Sequence, residues 1–221
     1  MKIGRATLDT CSHATGTVVV IDVIRAFTTA AFAFAAGAQD ITLVGTVHDA
    51  FALRQRAPGA LIMGEVNSLP VKGFDLGNSP SAFIGLDLTG RRLIQRTSAG
   101  TQGVVLSTQA DAILATSFCC VGATVRYLRK LSPQTLTFVM TAIGPEDEGD
   151  EDVACADYVE ALLRDAKPDA GLFARRVPSR RRGDCLAIRL FPSSLSQTWN
   201  VVWTLIALTL PCRSSARMDR W

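Results

Sequence analysis

The chain alternates short, β-branched apolar runs with longer segments in which apolar residues recur at helical spacing. Residues 17–24 (TVVVIDVI) are nearly continuous in hydrophobicity, which is typical of a strand buried on both faces. The alanine-rich segment that follows stops at Gly37, which predicts a helix ended by glycine. The same patterns predict strands at 41–45, 60–64, 92–97, 111–117 and 135–142, and helices at 47–57, from Thr101, at 122–131 and at 152–166. This alternation predicts an α/β fold, a three-layer α/β/α sandwich with a largely parallel or mixed sheet.

Polar residues collect where the predicted strands end, the edge at which such sheets bind ligands. They are Asp22 and Arg25, Glu65 and Asn67, residues 73–80, residues 96–101, Ser117, and the acidic segment 144–152. Residues 73–80 (GFDLGNSP) carry a carboxylate, an amide and a hydroxyl, which is more than a turn requires. The acidic segment is interpreted as solvated charge, with Glu151 and Asp152 favourably placed at the start of the next helix.

Residues 96–103 (RTSAGTQG) place hydroxyl groups and a glycine between a predicted strand and a predicted helix. Free backbone N–H groups at a helix N-terminus favour an anion such as phosphate. A capped helix start with no ligand is the alternative, and the pattern alone leaves both open. The segment lacks the GxxxxGK[ST] spacing, which disfavours nucleoside triphosphate hydrolysis.

Three carboxylates, Asp22, Glu65 and Asp75, fall at or just beyond predicted strand ends. Oxygen ligands of this type suit Mg²⁺, which binds one or two carboxylates together with substrate phosphate. A single Asp after a strand is commonly a turn or cap residue, but three at one edge favour a metal site. Arg25 either pairs with Asp22 or offers donors to a phosphate or sulfonate.

Other chemistries are poorly supported. His13 and His48 are the only histidines, and neither stands beside a nucleophile, so the sequence does not favour a Ser-His-Asp or Cys-His mechanism. The six cysteines form no CxxC pair, and we expect buried, small hydrophobic residues, including packing roles for Cys119 and Cys120. Neither a signal-peptide pattern nor an apolar run of roughly 18 to 20 residues occurs, which predicts a cytoplasmic protein with no membrane partner.

Charge divides the chain into two parts. Residues 1–174 carry 14 Lys and Arg against 18 Asp and Glu, whereas residues 175–221 carry nine Arg, two Asp and all three tryptophans. We therefore interpret residues 1–174 as one domain and residues 175–221 as an atypical basic tail. A frameshift near residues 174–183 is one hypothesis for the change, and a genuine basic tail is the other.

Several segments taken together resemble the 2-phosphosulfolactate phosphatase family. They are IDVIRAFTTA (21–30), MGEVN (63–67), KGFDLGNSP (72–80), RTSAGTQG (96–103), the Ser-Phe pair at 117–118, and EDVACADYVEALL (151–163). The resemblance implies a Mg²⁺-dependent hydrolase that converts 2-phospho-3-sulfolactate to sulfolactate and inorganic phosphate, a step of coenzyme M biosynthesis. One departure is Ala99, because the family's loop frequently has the form TTTNGT.

These observations define the expected site. The catalytic residues are predicted to be Asp22, Arg25 and Asp75; the metal ligands Asp22, Glu65 and Asp75; and the substrate-binding residues Asn78, Ser79, Thr97, Ser98, Gly100 and Thr101. Attack by an activated water is the preferred mechanism, with a phospho-aspartyl intermediate at Asp22 left open. The alternative is a non-catalytic binding module for a phosphorylated metabolite. A small phosphorylated molecule is the expected partner, nucleic acid is disfavoured, and a homo-oligomer is left open.

Overall fold

The computed structural model describes residues 1–141 and 150–177. Within these ranges the strands are β1 (Lys2–Thr7), β2 (Gly16–Ile21), β3 (Asp40–Leu43), β4 (Leu61–Gly64), β5 (Arg92–Arg96), β6 (Ala110–Thr116) and β7 (Thr135–Met140). The helices are α1 (Ala26–Ala35), α2 (Val47–Arg56), α3 (Gly100–Leu106), α4 (Val121–Leu131), α5 (Asp150–Leu163) and α6 (Ala170–Ala174). Among these elements, β1 and α6 are the two that the sequence patterns did not predict.

The strands form two sheets rather than one, in the orders β1-β7-β2-β6 and β3-β5-β4. Each neighbouring pair of strands in both sheets is parallel. The predicted α/β class is confirmed. Because all strands within a sheet run the same way, their carboxyl ends lie at one edge.

Three apolar clusters show how the layers stack. One face of β2, with Val18 and Val20, belongs to a cluster that includes α1, α3 and one face of the smaller sheet. The opposite face, with Val19 and Ile21, packs with α4 and α5. The far face of the smaller sheet packs with α2. Helices α1 and α3 therefore lie between the two sheets, and each sheet has helices on both faces, so each sheet forms the middle of an α/β/α arrangement.

Small residues allow this close stacking. The buried face of α1 is largely alanine, including Ala26, Ala30 and Ala33. On α3, a Cβ atom added to Gly103 would lie 2.7 Å from Val20 and 2.8 Å from Thr141, so glycine lets this helix approach the larger sheet. The middle layer is thin enough to bring the carboxyl ends of strands from both sheets to one region.

Some predictions concern residues that the structure does not describe. Residues 142–149, which hold most of the acidic segment, and residues 178–221 of the basic tail lie outside the described residues. The domain boundary after residue 174 and the frameshift near residues 174–183 therefore stay predictions. None of the described helices has the length and apolar character needed to cross a membrane.

Candidate active site at the ends of the strands

Asp22 lies in the turn between β2 and α1, and is 3% exposed. Its Oδ1 atom accepts the N–H of Ala26 at 2.9 Å, and its carboxylate also accepts the N–H of Gly100 at the start of α3. A Cβ atom at Gly100 would stand 2.6 Å from Asp22 Oδ2. Glycine is therefore required where α3 begins, and the carboxylate is held between the N-termini of two helices.

The surroundings of Asp22 change its acidity. Burial raises the pKa of Asp22 to about 6, and the negative charge of Glu65 acts in the same direction. The N–H groups of Ala26 and Gly100 and the charge of Arg25 lower the pKa but do not cancel the effect of burial. A carboxyl group of this kind exchanges its proton near neutral pH, which is a property required of a general acid or base.

Glu65 follows β4 and fastens two loops together. Its Oε1 atom accepts the N–H of Ser98 at 2.6 Å, and its Oε2 atom accepts the N–H of Ser68 at 2.5 Å and the hydroxyl of Ser98 at 3.2 Å. Arg96 adds a bond of 2.9 Å from Nη1 to the Glu65 carbonyl. The carboxylate is thus a structural link between the ends of β4 and β5, as well as a charge near Asp22.

Thr97 and Thr101 are buried and hydrogen-bond to each other. The Thr97 N–H donates to Thr101 Oγ1 at 2.8 Å, the Thr101 N–H donates to Thr97 Oγ1 at 3.1 Å, and the Thr101 hydroxyl donates to the Thr97 carbonyl at 2.8 Å. Because these donors already have protein acceptors, the loop displays the geometry of a capped helix start. Phosphate binding by Thr97, Ser98, Gly100 and Thr101 stays a prediction.

Asp75 has a different set of partners from Asp22. Its Oδ2 atom accepts the Ile62 N–H at 2.7 Å and a bond from Arg54 at 3.1 Å. Its own N–H donates to the Ile62 carbonyl at 2.9 Å. Asp75 therefore completes the hydrogen bonding of β4 along its outer edge, which explains one of the polar groups in the segment 73–80.

Asn78 and Ser79 lead into a 3-10 turn, Pro80–Phe83, that contacts α1. The Asn78 Oδ1 atom is buried and meets no hydrogen-bond donor in the part of the chain that the structure describes. The Ser79 hydroxyl lies 3.1 Å from the hydroxyl of Ser81. The unused atom is an acceptor, and phosphate or sulfonate oxygens also accept, so this oxygen does not explain substrate binding, and the substrate-binding role of Asn78 stays a prediction.

The structure brings together part of the predicted metal set. Across residues 1–141 and 150–177, no group of three or more His, Cys, Asp or Glu side chains is arranged to hold a metal ion. Asp22 and Glu65 are close enough for the charge of Glu65 to raise the pKa of Asp22, whereas the carboxylate of Asp75 is bonded to Ile62 and Arg54. The role of each of the three as a metal ligand stays a prediction.

Asp152 is a site residue that sequence reasoning missed. The acidic segment was interpreted as solvated charge, but Asp152 and Glu151 are buried; their predicted place at the start of a helix is confirmed by α5. Asp152 Oδ1 accepts the Val23 N–H at 2.8 Å, and Oδ2 accepts the Thr141 N–H at 3.1 Å. Its carboxylate therefore fixes the residue that follows Asp22 to the end of β7.

Gln95 is a second buried polar residue near the site that the sequence patterns did not predict. It is buried within β5, and its Nε2 atom donates to the Ala26 carbonyl at 2.9 Å. This bond joins the smaller sheet to the first turn of α1. A polar residue inside an otherwise apolar strand was the available signal, because a buried amide requires a hydrogen-bond partner.

The four cysteines in the described residues are free thiols. Cys11 and Cys155 are buried, which confirms that part of the prediction. Cys119 and Cys120 are only partly buried, directly before α4. The Cys119 thiol lies 3.0 Å from the hydroxyl of Ser117, and the packing roles of Cys119 and Cys120 stay predictions.

The fold and the site define an α/β protein with a buried, proton-exchanging carboxyl group where its parallel strands end. A sequence model of the family described as 2-phosphosulpholactate phosphatase matches residues 6–192. The chain belongs to this family.

Relatives with similar sequences carry one description. The chain is 37% identical over 145 residues to a probable 2-phosphosulfolactate phosphatase of Bacillus subtilis, covering 66% of this chain and 63% of that protein. It is 39% identical over 151 residues to a protein with the same description from Carboxydothermus hydrogenoformans, covering 68% and 61%. A third, from Deinococcus radiodurans, is 32% identical over 175 residues, covering 78% and 72%. The chain thus spans less than two thirds of the length of the first two.

Proposed function

We propose that this chain is a phosphoric monoester hydrolase that releases inorganic phosphate from 2-phospho-3-sulfolactate or a related small phosphorylated acid. The observation that carries the proposal is Asp22, a buried carboxyl group with a pKa raised to about 6, held at the N-termini of α1 and α3. The descriptions of the similar proteins support the choice of substrate. Release of sulfolactate would place the reaction in coenzyme M biosynthesis.

Asp22 is best suited to act as a general base. Above pH 6 its carboxylate is mostly ionised and can accept a proton from a water molecule that attacks phosphorus. The N–H groups of Ala26 and Gly100 lower the pKa of Asp22, which weakens it as a base and as a nucleophile alike. We favour water attack, and a phospho-aspartyl intermediate at Asp22 stays open.

Arg25 and the segment 73–80 would hold the substrate. Arg25 lies at the first turn of α1, near enough to Asp22 to lower the pKa of its carboxyl group, and its planar guanidinium suits phosphate or sulfonate oxygens. Asn78 would donate from its amide Nδ2 group, with the Ser79 hydroxyl beside it. Thr97, Ser98, Gly100 and Thr101 would keep the loop shape that places α3 against Asp22.

Asp22 and Glu65 fit a Mg²⁺ ion better than the full set of three carboxylates, but an ion on Asp22 would lower the pKa of that carboxylate, so Asp22 would act as the base only where Glu65 is the ligand. They supply hard oxygen ligands, and their mutual repulsion is the kind of interaction that a divalent cation relieves. When bound, the ion would neutralise phosphate charge. Glu65 would still hold Ser98 and Ser68 through its existing hydrogen bonds, so it would shape the loop in addition to binding the ion.

Phosphate release from synthetic 2-phosphosulfolactate tests the proposal directly. The purified chain would be assayed with this substrate and with p-nitrophenyl phosphate, each with Mg²⁺ and with EDTA. We expect Mg²⁺-dependent turnover that is faster for the sulfonated substrate. Binding of the substrate without turnover would favour the binding-module alternative, and turnover that survives EDTA would remove the metal from the proposal. A cytoplasmic location and a homo-oligomer stay predictions.

A further inference from the structure

A buried amide, that of Gln95, reaches from the smaller sheet to the helix that follows Asp22. Gln95 is 0% exposed, and its Nε2 atom donates to the carbonyl of Ala26 at 2.9 Å. Ala26 is the first residue of α1, and its own N–H donates to Asp22 Oδ1 at 2.9 Å. Ala26 is therefore held by the smaller sheet through its carbonyl, and it holds the Asp22 carboxylate through its N–H.

At its own end, Gln95 is tied to the strand that carries Glu65. Gln95 lies in β5, the central strand of the smaller sheet, and Arg96 follows it. The Arg96 carbonyl accepts the Glu65 N–H at 2.9 Å, and Arg96 Nη1 donates to the Glu65 carbonyl at 2.9 Å. The bond from Gln95 to Ala26 therefore connects the turn that carries Asp22, at the end of a strand of the larger sheet, to the part of the smaller sheet that holds Glu65.

Other buried side chains hold the same turn from the larger sheet's side. Asp152 Oδ1 accepts the Val23 N–H at 2.8 Å, and the Thr28 hydroxyl donates to the Val23 carbonyl at 2.7 Å. These two bonds fix the residue after Asp22 to α5 and α1. Gln95 makes the corresponding contact from the smaller sheet, so the turn is held from both sides.

Stability alone does not explain an amide at this position. The residues opposite Gln95 in the neighbouring strands are Leu43 and Met63, both buried and apolar. The Gln95 Oε1 atom is buried and meets no donor in the part of the chain that the structure describes, and a buried acceptor without a donor costs free energy. The Ala26 carbonyl does not depend on Gln95 for a donor, because a carbonyl in the first turn of an α-helix accepts the N–H four residues later. Packing alone would thus favour an apolar side chain here, and residues that break such local rules are expected at functional sites.

We propose that Gln95 is a positioning residue for the phosphatase reaction, which fixes the first turn of α1 so that the Asp22 carboxylate keeps its place relative to Glu65. Gln95 acts through Ala26 and does not touch the substrate. The effect on rate rests on the proposed function, whereas the control of the first turn of α1 by Gln95 does not.

The first experiment replaces Gln95 with methionine, which has a similar length and cannot make the bond to Ala26. We expect kcat for 2-phosphosulfolactate to fall by at least about tenfold, because a small misplacement of reacting groups can cost about 10²-fold in rate. KM should stay nearly constant, because Gln95 is not a substrate contact. The urea midpoint of unfolding should be unchanged or higher, because the variant no longer buries an acceptor without a donor.

A merely structural residue would behave differently. A lower urea midpoint in Gln95→Met, or a variant that does not fold, would show that the amide is needed for stability and would overturn the proposal. An unchanged kcat, or a change confined to KM, would overturn it as well. Thr29→Val is the matched control, because it removes from α1 a buried hydroxyl that has no hydrogen-bond partner among the described residues. It should leave kcat unchanged, and a loss equal to that of Gln95→Met would refute a specific role for Gln95.

The second experiment needs no activity and measures amide hydrogen exchange by NMR. In Gln95→Met the N–H groups of Ala26 and Phe27, which donate to the side chain and the carbonyl of Asp22, should exchange several times faster than in the parent chain. The N–H groups of β7 and the whole of Thr29→Val should be unaffected. If the parent chain shows no turnover, the proposed function has failed, and the exchange rates still decide whether Gln95 fixes the turn. Equal exchange at Ala26 and Phe27 in the variant and the parent would refute it.

Discussion

Asp22 and Asp75 follow predicted strands in the same way, yet the structure gives them opposite environments. Asp22 is 3% exposed and faces Glu65, with its carboxylate held by the first turns of two helices. The side chain of Asp75 is 37% exposed and is paired with Arg54. The comparison shows that a place beyond a strand does not make a carboxylate reactive. Burial and a nearby like charge raise the pKa of a carboxyl group, and of these two residues Asp22 has both.

The energies of the two environments differ as well. The shift in the pKa of Asp22 from 3.8 to about 6 corresponds to about 3 kcal/mol between its protonation states. An exposed ion pair such as that between Asp75 and Arg54 contributes at most about 1 kcal/mol. The environment of Asp22 thus favours the protonated form of its carboxyl group, while the region around Asp75 provides ordinary structural support.

The largest predicted effect is the loss of phosphatase activity in Asp22→Asn. Asparagine keeps the shape and an acceptor for the Ala26 N–H, but it cannot take a proton from water, and a general base contributes about 10² to 10⁴ in rate. We expect kcat/KM for 2-phosphosulfolactate to fall within that range while the circular dichroism spectrum stays unchanged. A folded Asp22→Asn variant with activity within tenfold of the parent would remove Asp22 from the catalytic role.

The second prediction compares the supports of the two regions, Asp152 and Arg54. Asp152→Ala leaves the Val23 N–H without its buried acceptor and leaves the Thr141 N–H with only its 3.2 Å bond to the Ile21 carbonyl, and loss of the bond from Val23 to a charged group alone costs about 1.5 to 3 kcal/mol. Arg54→Ala removes an exposed partner of Asp75 and should cost less than about 1 kcal/mol. Urea unfolding of both variants measures the difference.

If Asp152→Ala and Arg54→Ala lost equal amounts of stability, the contrast between the two regions would be contradicted. Asp152→Asn provides the matched control, because its carbonyl oxygen can still accept one of the two N–H groups. Its stability should fall between that of Asp152→Ala and that of the parent chain. If the asparagine and alanine variants unfold at the same urea concentration, the hydrogen bonds of Asp152 do not explain its burial.

Sequence patterns predicted local structure well where one physical cause dominates. The apolar run 17–24 predicted β2, which ends at Ile21 because Asp22 turns the chain into α1. Gly37 adopts a φ of +100° just after α1, as a glycine at a helix end does. β1 (Lys2–Thr7) escaped prediction because it pairs with β7 alone, at an edge of the sheet, and its residues are half exposed and partly polar.

Long-range contacts account for what the sequence could not predict. The division into two sheets depends on strand pairs far apart in the chain, such as β2 with β6. The convergence of Asp22 and Glu65 was expected from parallel strands, and their interaction agrees with it. Asp152 was not recognised because acidic residues surround it in the sequence, and only the N–H groups of Val23 and Thr141 reveal why it is buried.

The third prediction uses pH to separate the two carboxylates. The folded pKa of Asp22 is raised, from 3.8 to about 6, so its contribution to stability is fully present below 3.8 and is lost as pH rises through 6. In EDTA, the free energy of unfolding of the parent chain should therefore fall relative to Asp22→Asn, by up to about 3 kcal/mol between about pH 4 and pH 7. Urea unfolding at both pH values checks this. A difference between the two proteins that is independent of pH would show that Asp22 is not perturbed.

The smallest effect is expected for Asp75→Asn, which tests whether Asp75 belongs to the reactive set. The amide oxygen can still accept the Ile62 N–H, so only the exposed pair with Arg54 is lost, and stability should fall by less than about 1 kcal/mol. Activity should change by less than threefold if Asp75 is a structural residue, because its carboxylate is bonded to Ile62 and Arg54 and lies outside the buried environment of Asp22. Steady-state kinetics and urea unfolding of the variant, with Asp75→Ala as the change that also removes the Ile62 acceptor, measure both quantities. A hundredfold loss of kcat in Asp75→Asn with unchanged stability would instead return Asp75 to the catalytic and metal-binding set, and the contrast between the two carboxylates would then fail.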